Sequence, residues 1–250
     1  MKKSNLEIQQ YLSEKEPFTK ERIRDYYLRR GEKLSEENLR VKINRLKTKG
    51  IIENVARGLY RINGKKTFEP ELTPQLKRIS TKIKTGFPFL NYTIWSSSWL
   101  NDLATLQLMR SIIVIEVESG SEDAVFRMMQ ENFPAKTFLN PNETEWENYM
   151  HENENIIIKT MISESPNMNY HSIRIARLEK ILVDLFCDKL WKMIFSSELF
   201  NMYAEACSNY SINYSTLLSY AARRARKEEV WDYIKSLNVL ENSTIEMVRK

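Results

Sequence analysis

The chain has 250 residues, enough for one large domain or two small ones. Hydrophobic residues make up 42% and charged residues 28%, while Gly (6) and Pro (7) are scarce; this excludes disordered, collagen-like and low-complexity classes and leans toward helix. The formal net charge is +5, but 18 Lys and Arg face 9 Asp and Glu between Met1 and Lys66, against 20 and 24 in the remainder, so the whole positive excess sits in the first quarter. A basic terminal part on a mildly acidic body points to an anionic partner for that part alone, and nucleic acid is the usual one.

Ser4 to Ile62 reads as helix, helix, helix, hairpin. Leu6, Tyr11 and Leu12 give a loose apolar face that Pro17 ends. Thr19 stands at an N-cap position, Ile23, Tyr26 and Tyr27 follow at helical spacing, and Gly31 is a C-terminal stop. Ser35 caps a third helix in which Leu39, Ile43 and Leu46 recur at i, i+4 and i+7, and Gly50 ends it. Two β-prone runs, 51–55 and 59–62, flank Ala56-Arg57-Gly58, where Gly58 tolerates the positive φ of a tight hairpin. This order in about 60 residues is the layout of a winged helix-turn-helix, in which the later helix enters the major groove of DNA.

With the apolar stripe of the third helix facing inward, a step of about 100° per residue puts Val41, Asn44, Arg45 and Thr48 on its outer face. Arg40, Lys42, Lys47 and Lys49 lie on the flanks. A polar and Arg strip suits base edges, and bordering cations suit phosphates. Asn44 and Arg45 are the expected base contacts; Arg57 at the hairpin tip is expected to reach a neighbouring groove or phosphate, with Arg61 and Lys65 close by. The expected partner is double-stranded DNA.

Residues 65–88 are less periodic. Glu69-Pro70 and Thr73-Pro74 predict a turn, then a short helix through Leu76, Ile79 and Ile83 that ends near residue 84. The expected organisation is a winged helix-turn-helix over 1–66, a linker with a connecting helix over 67–88, and an α/β plus helical effector domain over 89–250, giving a mixed α+β or α/β fold.

In the body, Leu90 to Ile94 reads as a strand and Leu100, Leu103, Leu106 and Leu108 as a helix. Ile112 to Val117 is nearly continuous, β-branched and therefore a central strand buried on both faces. Glu122–Asn132 predicts a helix, Lys136–Leu139 a strand, Glu143 to His151 a helix and Ile156 to Ile162 a further strand, implying a mostly parallel or mixed sheet. From Ile173 onward the chain reads as helical, through stripes at Ile181/Leu182/Leu185/Phe186, Tyr203/Ala206/Cys207, Leu217/Leu218/Ala221 and Val230/Trp231/Ile234.

Catalytic and metal constellations are sparse. Cys187 and Cys207 lack His neighbours and read as reduced helix residues, not as a zinc site or disulfide framework. His151 and His171 have no partner at metal or dyad spacing, and no Gly-rich phosphate loop or nucleophile elbow occurs. Asp102 ahead of a strand ending Glu116-Val117-Glu118 is reminiscent of a metal-dependent nuclease, but Glu118 stands where such sites carry a lysine. Arg223-Arg224-Ala225-Arg226-Lys227 reads either as a second phosphate contact or as a solvated face offsetting Glu228 and Glu229. No enzyme activity, cofactor or metal is expected. No apolar run approaches the ~18 residues of a membrane span, and the basic start has no apolar stretch behind it, so neither a span nor a signal peptide is expected and the expected compartment is the cytoplasm.

Two further stretches carry a resemblance. Arg57-Gly58-Leu59-Tyr60-Arg61-Ile62 resembles the RGLYRL-type wing of AbiEi-like antitoxins of prokaryotic type IV toxin–antitoxin systems. Leu178-Glu179-Lys180-Ile181-Leu182-Val183-Asp184-Leu185-Phe186 is similar to the PEKALLDLL helix start of their C-terminal domain, with Leu178 in place of the Pro, and Tyr220-Ala221-Ala222-Arg223-Arg224 fits their helical tail. The resemblance implies a winged-helix repressor that binds inverted repeats in its own promoter as two protomers. It also implies an effector domain that counters a nucleotidyltransferase-like toxin, with direct contact between the two left open. The middle sheet region, about 90–162, departs from shorter members. Packing accounts for most apolar positions of the Leu-Glu-Lys motif, which leaves Glu179 and Lys180 for another role; with Asp184 they are the expected antitoxin-motif residues. The rival readings are a stand-alone transcription factor with a ligand-sensing body, a nuclease, and a protein-interaction adaptor.

Overall fold

A computed structural model of the protein describes residues 2–13, 17–48, 51–62, 64–106, 111–133, 136–145, 154–240 and 245. The architecture is mixed α and β, with two sheets among the described residues. Its first part runs α1 (Lys2–Ser13), β1 (Phe18–Thr19), α2 (Lys20–Arg29), α3 (Glu36–Thr48), β2 (Ile52–Ala56) and β3 (Leu59–Ile62). Leu39, Ile43 and Leu46 of α3 turn inward onto Ile8, Leu12, Phe18, Ile23, Tyr26, Ile51 and Ile52, forming one small core. Ser35 Oγ accepts the Asn38 N–H at 3.2 Å, which caps α3 as its sequence predicts. Thr19 occupies the N-cap position of α2 without a side-chain cap bond. It also belongs to β1, a two-residue strand missed in the sequence, which pairs antiparallel with β3 so that Phe18 faces Tyr60. Two residues carry no detectable period, which explains the omission. Gly50 lies outside the described residues.

The β2–β3 hairpin turns through Gly58 at φ +74°. Its register shifts between Asn54 and Ala56, a bulge that bends and twists the ribbon. Ile51 and Ile52 enter the small core, whereas Val55, Ala56 and Leu59 enter the core of the body. The hairpin is therefore shared between the two parts.

The body starts with α4 (Pro74–Gly86), whose N-cap Thr73 accepts the Leu76 N–H at 3.2 Å. Leu76, Ile79 and Ile83 of this helix are fully buried in the body core, so the segment is part of that core as well as a connection. The sheet contains β4 (Tyr92–Ser96), β5 (Ser111–Val117), β6 (Lys136–Leu139), β7 (Glu154–Thr160), β8 (Asn167–Tyr170) and β9 (Ile173–Ala176), in the spatial order β6-β7-β5-β4-β9-β8. β5 is central, parallel to β7 and antiparallel to β4, and buried from Ile112 to Val117 as its unbroken apolar run predicts. Helix α5 (Glu122–Asn132) follows it.

Two expectations are corrected. The predicted helix through Leu100 to Leu108 is a short 3-10 turn over Ser97–Leu100 followed by turns, with 107–110 outside the described residues. Ser96 Oγ takes the Ser98 N–H, and Glu198 takes the Thr105 N–H at 2.8 Å, so side chains hold a loop there. Ile173–Ala176 is not helical but a strand, paired with β8 across a two-residue turn. His171 and Ser172 both have positive φ in that turn, 46° and 64°, as a type I′ turn requires, and the absence of an Asn-Gly pair hides it from sequence reading. The helix expected over Glu143 to His151 is described only through residue 145, and His151 lies outside the described residues.

Five helices follow among the described residues: α6 (Leu178–Cys187), α7 (Lys189–Phe195), α8 (Leu199–Asn209), α9 (Tyr214–Arg223) and α10 (Lys227–Ser236). They bury the four predicted stripes apart from Phe186, which is half-buried. No helix among the described residues is long and apolar enough to cross a membrane.

Candidate nucleic-acid interface

The stripe that buries one side of α3 determines what the other side presents. Arg40, Val41, Asn44, Arg45 and Lys47 are exposed. Lys42 is half-buried: its Nζ lies 2.9 Å from a Glu32 carboxylate oxygen and 4.5 Å from the centre of the Tyr27 ring. Lys49 lies outside the described residues.

The acidic residues of the first part explain where its surplus charge appears. Glu36 pairs with Lys20 and Arg24, Asp25 with Arg29, Glu7 with Arg30, Glu32 with Lys42 and Glu53 with Arg61. Lys20 and Arg24 hold the Glu36 carboxyl below its ordinary pKa through hydrogen bonds. Among the described residues Arg40, Arg45, Lys47 and Arg57 form no ion pair. These four cations stand on α3 and at the hairpin tip, with the exposed Glu37 carboxylate also on α3.

The hairpin is held by the body. The Arg57 N–H donates to Ser215 Oγ at 2.7 Å while the residue itself stays exposed at the tip. Lys66 bridges Tyr210: its N–H reaches the Asn209 carbonyl at 2.8 Å and its carbonyl accepts the Ser211 N–H at 2.9 Å. Lys65 Nζ donates to the Cys207 carbonyl. Arg61, expected beside Arg57 near a phosphate, instead pairs with Glu53 across the hairpin, its side chain only 15% exposed. The cross-strand register that puts Glu53 opposite Arg61 is the cause.

A second cluster lies inside the body. Lys180 is wholly buried between Glu116 of β5 and Asp184 one turn along α6, with its Nζ 2.5 Å from Asp184. Tyr220 of α9 donates its hydroxyl to Asp184 at 2.9 Å. Arg224 reaches both Asp184 and Asp188, and Lys159, opposite Glu116 in the β5–β7 register, donates to Asp188 at 2.6 Å. Three cations thus face three carboxylates, which is how a buried charge set avoids the penalty of unpaired ions. Burial works against the Lys180 charge, but Asp184 and Glu116 outweigh it and raise its pKa. Burial raises the Glu116 carboxyl, with Lys180 opposing. Burial also works against Asp188, yet Lys159 and Arg224 keep its carboxyl below the ordinary value.

The three polar residues of the Leu-Glu-Lys motif are accordingly interior. Glu179 accepts the Asn213 N–H at 3.0 Å and pairs with Arg177, while Lys180 and Asp184 belong to the network. Glu116, Lys159, Asp188, Tyr220 and Arg224 were missed as its partners. The available signal was Glu116 interrupting an apolar strand end and a Lys180–Asp184 pair at i, i+4. The basic run 223–227 divides: Arg224 points inward, whereas Arg223 pairs with Glu164 and Arg226 with Glu229 at the surface.

The carboxylates weighed for a nuclease are not brought together. Asp102 follows the end of β4, where Ser96 lies opposite Ile113 near the start of β5. Glu116 and Glu118 lie three and five residues further along from Ile113, roughly 10 and 17 Å at about 3.4 Å per residue. Glu116 is also paired with Lys180, and among the described residues no group of three His, Cys, Asp or Glu is arranged to hold a metal ion. Burial pushes both free thiols, Cys187 and Cys207, up to about 11, so neither is an activated nucleophile.

No curated protein matches the chain. A family profile does, from inside α3 to just beyond α10: residues 38–239 fit the family of unknown function DUF6577, and the chain belongs to that family.

Proposed function

We propose that the protein is a sequence-specific DNA-binding regulator whose first part acts as a winged helix-turn-helix. In this reading α3 enters the major groove, the β2–β3 hairpin is the wing, and residues 89–250 form the effector body. The observation that carries it is the exposed outer face of α3, where Arg40, Arg45 and Lys47 stand without ion pairs while Glu7, Glu32 and Glu36 pair with other cations. Cations at the flanks suit phosphates, and Asn44 and Arg45 suit base edges. The order of three helices and a three-stranded sheet that includes a short strand ahead of α2 also supports the winged-helix reading.

The test is binding to the gene's own upstream DNA across a salt series. A regulator of this kind binds that duplex over random DNA, with affinity falling steeply as salt rises. Equal, weak binding to both duplexes would overturn the reading.

The role in a type IV antitoxin pair rests on the resemblance of the wing and of the α6 motif. It predicts that the chain relieves growth arrest caused by an adjacent nucleotidyltransferase-like gene product. Replacing Arg40, Arg45 and Lys47 together with Ala should abolish promoter repression and spare that relief. The interior position of Glu179, Lys180 and Asp184 assigns any toxin-directed surface to other residues.

A further inference from the structure

The central residue of the α3 outer face is not charged. Val41 lies opposite the buried Leu39–Ile43–Leu46 stripe and is 62% exposed. A β-branched residue at a helix surface gains nothing from propensity. On the same face Glu37 precedes it by one turn, while Asn44 and Arg45 follow at i+3 and i+4, all exposed. This strip holds a carboxylate, an apolar group, an amide and a guanidinium. Such a mixture is unsuited to a rail of phosphates, which asks for uniform positive charge, and suited to base edges, which differ in donors, acceptors and methyl groups. The one apolar feature that a base pair offers in the major groove is the thymine C5-methyl group.

We infer that Val41 is a specificity-determining residue that packs on a thymine methyl, next to the bases read by Asn44 and Arg45. This rests on the DNA-binding reading above and adds a base preference to it. Val41 is anchored by the helix and has one side-chain torsion, so it presents its two methyl groups with little entropy to lose. Its exposure in the free protein is then the exposure of a contact that only the duplex covers.

The experiment uses the full chain and duplexes it selects from a random pool. Each thymine of the selected site is replaced singly by uracil, which removes only the methyl group. One replacement is expected to weaken binding by about fourfold, the effect of uncovering one methyl-sized apolar group. Val41→Ala is expected to bind the thymine duplex more weakly and to lose its sensitivity to that uracil. Val41 is on the surface and not in the core, so circular dichroism of the variant should match the parent. If every uracil duplex binds as tightly as its thymine parent, or if Val41→Ala keeps the full uracil penalty, the methyl contact is wrong while DNA binding stands. If the chain selects no duplex at all, the DNA-binding reading fails with it.

Discussion

Arg57 and Ser215 are 158 residues apart, yet the backbone N–H of the first donates to the hydroxyl of the second at 2.7 Å. The bond ties the tip of the β2–β3 hairpin to the first turn of α9. It makes the hairpin a lever between the basic part and the body, because Val55, Ala56 and Leu59 sit in the body core on the same ribbon. Ser215→Ala should therefore cost about 1 kcal/mol of stability, the usual net worth of one hydrogen bond. Chemical denaturation measures it. In the proposed function the same variant should bind DNA several-fold more weakly without altered base preference, because the wing is held less firmly while α3 is untouched; unchanged affinity would show that the tip makes no contribution.

Lys180 is a fully buried cation. Replacing it with Met leaves Glu116 and Asp184 buried without their cation, a loss of about 3–5 kcal/mol. A triple replacement, Lys180→Met with Glu116→Gln and Asp184→Asn, should recover much of that loss, since no ion is then left unpaired. Urea denaturation of the two variants gives the comparison. A single variant as stable as the parent would mean that the network is open to water.

The network also sets a pH dependence. The Asp188 carboxyl is depressed below its ordinary 3.8 because Lys159 and Arg224 outweigh its burial. A depressed carboxyl contributes stability above its unfolded pKa and loses it as pH falls through the folded value. Lys180, raised above 10.5, contributes below that value and loses it only as pH rises through a still higher folded value. Glu116, raised by burial, acts in the opposite direction in acid. The expected outcome is therefore a difference: Asp188→Asn should be less stable than the parent near neutrality, and the gap should close below about pH 4. A gap that is constant with pH would contradict it.

Base and phosphate contacts separate by their salt response. Arg45→Ala should cost about 1–3 kcal/mol on the selected duplex and relax one position of the site. Lys47→Ala should weaken binding about equally on all sequences and lower the slope of log affinity against log salt by about one. Titrations at several salt concentrations distinguish the two. Arg61→Ala should behave like neither, because its partner is Glu53; its effect should appear in stability and leave the salt slope unchanged.

Much of the fold was legible because it repeats at short range. Leu39, Ile43 and Leu46 announce one buried side of α3, and the run Ile112 to Val117 announces a strand covered on both faces. Where local signals are weak or mislead, reading failed. β1 is too short to show a period, the His171-Ser172 turn lacks its usual residues, and leucines at 100 and 103 enter the core from turns. The outer face of α3 could be placed from the apolar stripe alone, but which of its cations are uncompensated could not. Lys42 and Arg61 look like Arg45 in the sequence, and only their neighbours in space separate them.

The amino-acid sequence by itself determined most of the helices, the central strand, the surplus charge of the first part and the face that α3 turns outward, since each follows from composition or from side chains close together along the chain. Only the tertiary structure decided the fate of individual charges. Glu116 meets Lys180 across 64 positions, Asp184 meets Tyr220 across 36, and Arg57 meets Ser215 from the far half of the chain. Electrostatic pairing depends on distance in space, and chain folding sets that distance without leaving any periodicity to read.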